Sequence, residues 1–180
     1  QNMKQQGMTE INQEKLAQGF ADALKGAETI DAPTANAEVQ AYFQSLGAKK
    51  GAAAKDAGEA FLAENAKRPE VKVTDSGLQY EVLTPGNGAI PTATQTVKVH
   101  YHGTLIDGTV FDSSVERGET IEFPLNRVIS GWTEGLQLMQ EGAKYRFFIP
   151  YDLAYGERGS GPKIAPYSAL IFDVELFEVK

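Results

Sequence analysis

The spacing of hydrophobic residues changes once along this chain, near residue 69. Before that point they recur every three to four residues, which is typical of helices with one apolar face. Beyond it they alternate with polar residues, which is typical of strands buried on one face. The pattern therefore predicts a helical arm over residues 1–68 and a second domain over residues 69–180.

The first well-defined helix is predicted to begin after Asn12, which serves as N-cap, and to stop at Gly26 in a left-handed conformation. Leu16, Phe20 and Leu24 recur every four residues. They form one narrow apolar stripe along this helix.

A longer helical pattern, rich in Ala, Lys and Glu, runs from about residue 35 to residue 67, after a loop that contains Pro33. Gly47, Gly51 and Gly58 are each expected to weaken this helix by about 1 kcal/mol relative to alanine. No proline interrupts the pattern, so we predict one continuous helix. Its apolar stripe is predicted to consist of Val39, Phe43, Leu46, Ala53, Ala57 and Phe61.

The two apolar stripes have too little partner surface within residues 1–68. About 30 helical residues span roughly 45 Å, which is longer than a small domain is wide. We therefore expect a second copy of the chain to bury the stripes, so that the arm serves dimerisation. The alternative is a helical hairpin that folds back on the C-terminal domain.

The second domain is predicted to be α+β, with an antiparallel sheet wrapped around one short helix and a single core. Asp107 and Gly108 form a hairpin-type turn between two of its strands. The short apolar helix is predicted over residues 128–139. Strands are predicted over residues 76–83, 96–105, 110–111, 119–125, 144–150 and 169–180.

Aromatic residues and one carboxylate stand out in this domain: Tyr101, Phe111, Asp112, Trp132 and Tyr155. Neither a nucleophile–base pair nor a set of metal ligands accompanies them. An apolar hole lined by aromatic rings suits a compact apolar ligand. The alternatives are that the rings are plain core, and that the carboxylate forms an ordinary surface ion pair.

Composition narrows the function classes further. The net charge is −7, and no cluster of basic residues offers a site for nucleic acid. No apolar run approaches the length of a membrane span. The chain has no cysteine, which excludes disulfides and thiolate chemistry. His100 and His102 share one face of a predicted strand, but no third ligand is evident, so no metal site is predicted.

Several spaced motifs occur in order over residues 71–180: V-x-V-H-Y-x-G, D-G-x-x-F-D-S-S, V-I-x-G-W-x-x-G-L, L-A-Y-G and L-I-F-D-V-E-L. In this combination they resemble the FKBP-type peptidyl-prolyl isomerases, the macrolide-binding immunophilins. The helical N-terminal part resembles the arm of the dimeric, Mip-type (macrophage infectivity potentiator) bacterial members.

The resemblance implies a prolyl pocket with Trp132 as its floor. Asp112 and Tyr155 would form the polar rim, with Arg117 beside the carboxylate, and the residues implied as catalytic are Asp112, Tyr155 and Tyr101. In this chain Ile121 stands where many members have an aromatic residue, and Ser160 and Lys163 also depart from the family pattern. The implied wall comprises Tyr101, Phe111, Ile121, Val128, Ile129, Ile164 and Phe172.

The resemblance also implies an activity and partners. The expected function is acceleration of rotation about X–Pro bonds in client polypeptides, with no cofactor. Expected partners are proline-containing peptides, unfolded proteins, macrolide inhibitors and a second copy of the chain bound through residues 1–68. The expected location is the periplasm or cell envelope, with the cytoplasm as the alternative. The alternative function is a proline-binding chaperone with little or no isomerase activity.

Aromatic residues suit this chemistry because a planar X–Pro amide is more dipolar than a twisted one. A dry pocket therefore disfavours the planar state more than the twisted state, and lowers a barrier of about 18–20 kcal/mol. The Tyr155 hydroxyl is suited to fix a substrate carbonyl. Two roles remain open for Asp112: contact with the displaced carbonyl carbon, or organisation of Tyr101 and Arg117.

Overall fold

The computed structural model describes residues 13–26 and 31–180. The chain divides into two compact units, Gln1–Lys49 and Lys50–Lys180. The sequence places the domain boundary at residue 68/69, where the periodicity changes, and that position lies inside the second unit. The reason is that the second half of the long helix belongs to the second unit.

The first unit contains helix α1, Gln13–Leu24, and the start of helix α2, Ala32–Asn65. Gly26 has φ +71°, which confirms the predicted left-handed stop. The predicted cap at Asn12 lies outside the described residues. Within the ranges that the structure describes, no helix is long and apolar enough to cross a membrane.

Helix α2 confirms the prediction of one continuous helix and has 34 residues. It begins earlier than predicted, because the Asp31 carboxylate accepts a hydrogen bond from the Thr34 backbone N–H at 2.7 Å. Pro33 was assigned to the preceding loop, which is wrong. Proline is tolerated in the first turn, where its missing N–H has no helical partner to lose.

The buried face of the second half of α2 differs from the predicted stripe. Ala53 and Ala57 are exposed, whereas Gly51, Gly58 and Asn65 are buried. A Cβ atom at Gly51 would lie 3.0 Å from Pro166 Cβ, and one at Gly58 would lie 3.1 Å from Ala169 Cβ. The two glycines therefore let the second half of α2 pack closely on Pro166 and Ala169 of the same unit, a role that outweighs their low helix propensity.

Polar contacts fix the end of α2 on the sheet. Asn65 Nδ2 donates to Gln79 Oε1 at 2.9 Å, and Gln79 Nε2 donates to the Leu62 carbonyl at 2.9 Å. The ring centroids of Phe61 and Phe148 lie 5.9 Å apart. The side-chain amides of Asn65 and Gln79 are thus buried with hydrogen-bond partners. The free-energy cost of burying an amide without a partner is avoided.

The second unit contains one seven-stranded antiparallel sheet with the order β1-β2-β6-β7-β3-β4, while β5 pairs with β3. This architecture confirms the predicted α+β fold. All predicted strands are present, and β1 was not predicted. The strands are β1 Val71–Val73, β2 Gln79–Thr84, β3 Thr96–Leu105, β4 Val110–Ser113, β5 Ile121–Pro124, β6 Lys144–Ile149 and β7 Leu170–Val179.

Two short helices complete the unit. Helix α3, Ser114–Arg117, was not predicted; the Ser113 hydroxyl caps it by accepting from the Glu116 N–H at 3.1 Å. Helix α4, Ser130–Leu136, is the predicted apolar helix and is shorter than expected. A Cβ atom at Gly135 would lie 2.7 Å from Phe147 Cε1. Glycine at this position therefore lets α4 pack closely on the sheet and brings its side chains to the core.

The close approach at Gly58 predicts a position-dependent effect of enlarging a glycine in α2. Gly58→Leu should lower the free energy of unfolding by about 1–3 kcal/mol, because the added side chain overpacks the contact with Ala169. Gly47 has no atom within 4 Å of its added Cβ. Gly47→Leu should therefore raise stability by up to about 1 kcal/mol through helix propensity. Urea unfolding of both variants tests this, and equal shifts would contradict it.

Candidate active site

A cavity of about 760 Å³ opens between α4, the strands β3–β5 and the loop after Tyr155. Ten of the eleven residues named from the sequence line it, and Arg117 instead contacts Asp112 behind the rim. Its size lies in the range of small-ligand sites. The full lining is Tyr101, Phe111, Asp112, Ile121, Phe123, Arg127, Val128, Ile129, Trp132, Tyr155, Ser160, Gly161, Pro162, Lys163, Ile164 and Phe172.

Neither Phe123 nor Arg127 was predicted as a site residue, although both line the cavity. Phe123 stands two positions after Ile121 on β5, so strand alternation places both side chains on one face. This spacing could have predicted Phe123 from the position of Ile121. Arg127 ends a short 3₁₀ turn, Leu125–Arg127, directly before Val128. An isolated arginine in a turn carries no such signal.

Trp132 forms the floor of the cavity and is 6 % exposed. Its ring packs edge-on against Tyr101 at 5.2 Å and against Phe172 at 5.1 Å between centroids. Phe123 packs at a tilt, 5.3 Å away. The indole Nε1 is buried without a hydrogen-bond partner among the described residues. The floor is therefore packed against three rings and is apolar except for one indole N–H.

Strand β3 fits the wall because of one glycine. A Cβ atom at Gly103 would lie 2.7 Å from Phe111 Cζ and 2.8 Å from Phe172 Cε1. Those two rings meet edge-to-face at 5.3 Å between centroids. Any larger residue at this position would push one ring into the cavity.

The rim carries a compact polar network. The Tyr101 hydroxyl donates to Asp112 Oδ2, and Arg117 donates to Asp112 Oδ1. Arg117 also donates to the Tyr101 hydroxyl oxygen at 2.8 Å. Because Gly103 pairs with Asp112 across β3 and β4, the sheet register brings the carboxylate beside Tyr101. Both carboxylate oxygens are thus engaged.

This network sets the protonation states. Burial raises the pKa of the Asp112 carboxyl, but the hydrogen bonds from Tyr101 and Arg117 outweigh burial and hold that pKa below its ordinary value. Burial, with the hydrogen bond to Asp112, raises the pKa of Tyr101. The hydrogen bonds to Tyr101 and Asp112 raise the pKa of Arg117. At neutral pH the network is therefore an ion pair bridged by a neutral phenol.

Tyr155 also lines the cavity and is 40 % exposed. Its hydroxyl has no hydrogen-bond partner among the residues that the structure describes. Burial, followed by the charge of Asp112, raises its pKa, so the hydroxyl keeps its proton at neutral pH. A protonated, unpartnered hydroxyl at the edge of an apolar cavity is a ready hydrogen-bond donor.

Contacts with Lys55 of α2 and with Tyr167 stabilise the loop around Tyr155. Lys55 Nζ lies 5.6 Å from the ring centroids of both Tyr151 and Tyr167, and those two rings lie 5.3 Å apart. The Tyr167 N–H donates to the Gly156 carbonyl at 2.9 Å. Tyr167 has φ +60°, which is uncommon for a tyrosine. These contacts stabilise that conformation and fix the loop that carries Tyr155.

His100 and His102 point to the face of β3 away from the cavity and bind serine hydroxyls. His100 Nδ1 lies 2.9 Å from Ser114 Oγ, and His102 Nδ1 lies 3.0 Å from Ser113 Oγ. The two histidines therefore tie β3 to the start of α3, the helix that carries Arg117.

Known proteins resemble this chain over most of its length. A family profile described as FKBP-type peptidyl-prolyl cis-trans isomerase matches residues 88–177, and one described as a domain amino terminal to FKBP-type peptidyl-prolyl isomerase matches residues 1–82. The FKBP-type 22 kDa peptidyl-prolyl cis-trans isomerase of Escherichia coli is 47 % identical, with 99 % of this chain and 89 % of that protein covered.

Two further relatives extend the likeness over the whole chain. The outer membrane protein MIP of Legionella longbeachae is 44 % identical, over 99 % of this chain and 80 % of that protein. The crystal structure of FkpA from Escherichia coli superposes with a TM-score of 0.85 and 37 % identity, over 99 % of this chain and 88 % of that one.

These findings confirm the predicted family, fold and isomerase activity, and support the isomerase over the alternative of a proline-binding chaperone with little or no activity. The substrates are proline-containing peptides. The chain belongs to the FKBP-type peptidyl-prolyl cis-trans isomerases.

Proposed function

We propose that the prolyl ring of the substrate lies on Trp132, between the walls that Phe111, Phe172 and Ile121 provide. The carrying observation is the cavity itself: its floor and walls are aromatic and aliphatic, and its one carboxylate, Asp112, is neutralised by Arg117. Such a surface binds a pyrrolidine ring by burial of apolar area. It offers the adjoining amide few polar partners.

Catalysis then follows from the difference between two states of that amide. In the planar amide, charge is separated between nitrogen and oxygen, and water solvates these charges well. The twisted amide has less charge separation. Transfer to the cavity therefore costs the planar state more, which lowers the barrier to rotation. A reduction of about 5–7 kcal/mol corresponds to four to five powers of ten in rate.

Tyr155 is proposed as the donor that holds a substrate carbonyl while the other side of the bond rotates. Its hydroxyl is unpartnered within the described part of the chain and protonated at neutral pH, so it can donate without breaking an internal bond. When the carbonyl on one side of the X–Pro bond is held in place, the bound peptide can no longer rotate as a whole. The remaining motion is rotation about the X–Pro bond itself.

Asp112 is proposed to organise the rim, with Tyr101 as a positioning residue. Both oxygens of Asp112 accept hydrogen bonds, from Tyr101 and from Arg117. Contact with the displaced carbonyl carbon, the other role considered, would compete with those bonds. The contacts of the free enzyme therefore favour organisation, which holds the Tyr101 ring edge-on against Trp132.

The arm is proposed to form a homodimer. In the first unit, Leu24 is 88 % exposed, Val39 49 % and Tyr42 46 %. Large apolar side chains at this exposure on helices gain stability from a partner that buries them. A second copy of the chain is the partner that this proposal names.

Location and inhibitors extend the proposal. One relative carries the name outer membrane protein, and we propose the periplasm or cell envelope for this chain, with the cytoplasm as the alternative. Macrolides are proposed as further ligands of the same cavity. Ile121 presents a smaller wall to them than an aromatic ring would.

Removal of the Tyr155 hydroxyl tests the proposed donor. Tyr155→Phe should lower kcat/KM for a proline peptide about three- to tenfold, mainly in kcat, because one hydrogen bond to the rotating substrate is lost. The matched control is Tyr145→Phe, whose hydroxyl donates to the Leu138 carbonyl at 3.2 Å outside the cavity. Equal rates for the two variants in a protease-coupled assay would contradict this role.

The depressed pKa of Asp112 predicts the pH profile. A carboxylate whose pKa is lowered by folding stabilises the native state above the unfolded pKa of about 3.9, and that stabilisation disappears as the pH falls through the folded value. We therefore expect kcat/KM, measured by exchange NMR on a proline peptide, to stay constant from about pH 8 to pH 5 and to fall only at lower pH.

Asp112→Asn is the companion variant for this profile. It should lower kcat/KM about tenfold at neutral pH, because the amide cannot hold Arg117 as an ion pair. It should also lack the fall in activity at acid pH. A wild-type profile that falls near pH 6, or an unchanged acid limb in Asp112→Asn, would be incompatible with the proposed network.

The dimer proposal predicts the mass in solution. Sedimentation equilibrium of the full chain should give about twice 19.5 kDa. Val39→Glu combined with Phe43→Glu should shift the protein toward the monomer, because two charges would enter the buried stripe. Gln40→Glu, an exposed position on the same turn, should leave the mass unchanged. A monomeric wild-type chain would refute the proposal.

A further inference from the structure

Charge is unbalanced at the mouth of the cavity. Three ionised side chains line it, Asp112, Arg127 and Lys163. Asp112 is paired with Arg117, whose guanidinium lies just behind it. The two remaining charges are both positive, although the chain as a whole carries −7. The cavity therefore presents a local charge opposite in sign to that of the protein.

Neither positive charge is neutralised within the described residues. Arg127 is exposed and has no ion pair or hydrogen bond with any of them. Among the residues that the structure describes, Lys163 Nζ donates hydrogen bonds only to the Val110 and Phe111 carbonyls, each at 3.3 Å. By contrast, Arg146 elsewhere in this unit binds both oxygens of Asp173. Arg127 and Lys163 thus keep their charges available to a ligand.

The proposed substrate position brings the peptide past these cations. With the prolyl ring on Trp132, the chain on either side of the ring has to leave the cavity over its rim. Arg127 directly precedes Val128, and Lys163 directly precedes Ile164, and these two neighbours belong to the wall. Side chains next to the proline therefore pass within reach of long, flexible cationic side chains.

We propose that Arg127 and Lys163 make this isomerase select proline bonds that have an acidic residue next to the proline. The inference rests on the proposed prolyl pocket and names the substrate class that the pocket favours. Attraction of a carboxylate to an exposed cation is modest, so each cation is expected to contribute about two- to threefold to kcat/KM. The net charge of −7 would on its own repel acidic peptides. Without the two cations, a preference against acidic residues is therefore expected.

The test uses isosteric peptides and the full chain. One pair carries Glu or Gln immediately before the proline, and a second pair carries Glu or Gln immediately after it. The measured quantity is the ratio of kcat/KM for the Glu peptide to that for the Gln peptide at low ionic strength. We expect a ratio of about three or more in at least one pair, falling toward one in 1 M salt, where charges are screened beyond about 3 Å.

Three variants assign the preference to residues. Arg127→Gln and Lys163→Gln should each reduce the ratio, and the double variant should bring it to one or below. Because each ratio is taken within one variant, any general loss of activity cancels. Arg158→Gln is the matched control, since Arg158 is an exposed cation of the same loop that does not line the cavity. It should preserve the ratio.

The outcomes separate this inference from the proposed function. A wild-type ratio of one or below in both pairs, or a preference that persists in the double variant, overturns the selectivity. Turnover of the neutral Gln peptides is the separate measure of isomerase activity. Its absence would count against the prolyl pocket itself, whereas active turnover without a Glu preference would remove only the role of the two cations.

Discussion

The edge-on packing of Trp132 against Tyr101 and Phe172 is the contact on which the site depends. It places the indole of Trp132, which belongs to the buried core, at the bottom of a cavity. The two supporting rings come from neighbouring strands, β3 and β7, whose register aligns Gly103 with Phe172. Since glycine leaves room for the rings on that face, the sheet itself contributes to the space of the cavity.

An apolar cavity tolerates a carboxylate at its rim only if the charge is compensated. Asp112 meets this condition through Tyr101 and Arg117, and the three groups form a closed set of hydrogen bonds. Helix α3 delivers Arg117, and the histidine–serine contacts on the other face of β3 hold the start of that helix. The polar network therefore fixes the positions of the aromatic rings, while the Tyr155 hydroxyl has no partner in the described part of the chain.

Much of the site could be predicted because strand alternation and ordered motifs constrain it strongly. The predicted bounds of β3, residues 96–105, match those of the structure. The docked face of α2 could not be predicted in the same way. Gly51 and Gly58 appear in the sequence only as poor helix formers, since the partners that make them useful, Pro166 and Ala169, lie more than 100 residues later. Tertiary packing overrides propensity here.

The position of those partners shows what the second half of α2 contributes. Pro166 and Ala169 flank Tyr167, and Lys55 lies against the rings of Tyr167 and Tyr151. The segment between those two tyrosines carries Tyr155, the proposed donor, and Lys163. The second half of α2 thus supports the loop that carries both residues proposed to contact the substrate. For this reason the second compact unit begins within α2, at Lys50, rather than where the strands begin.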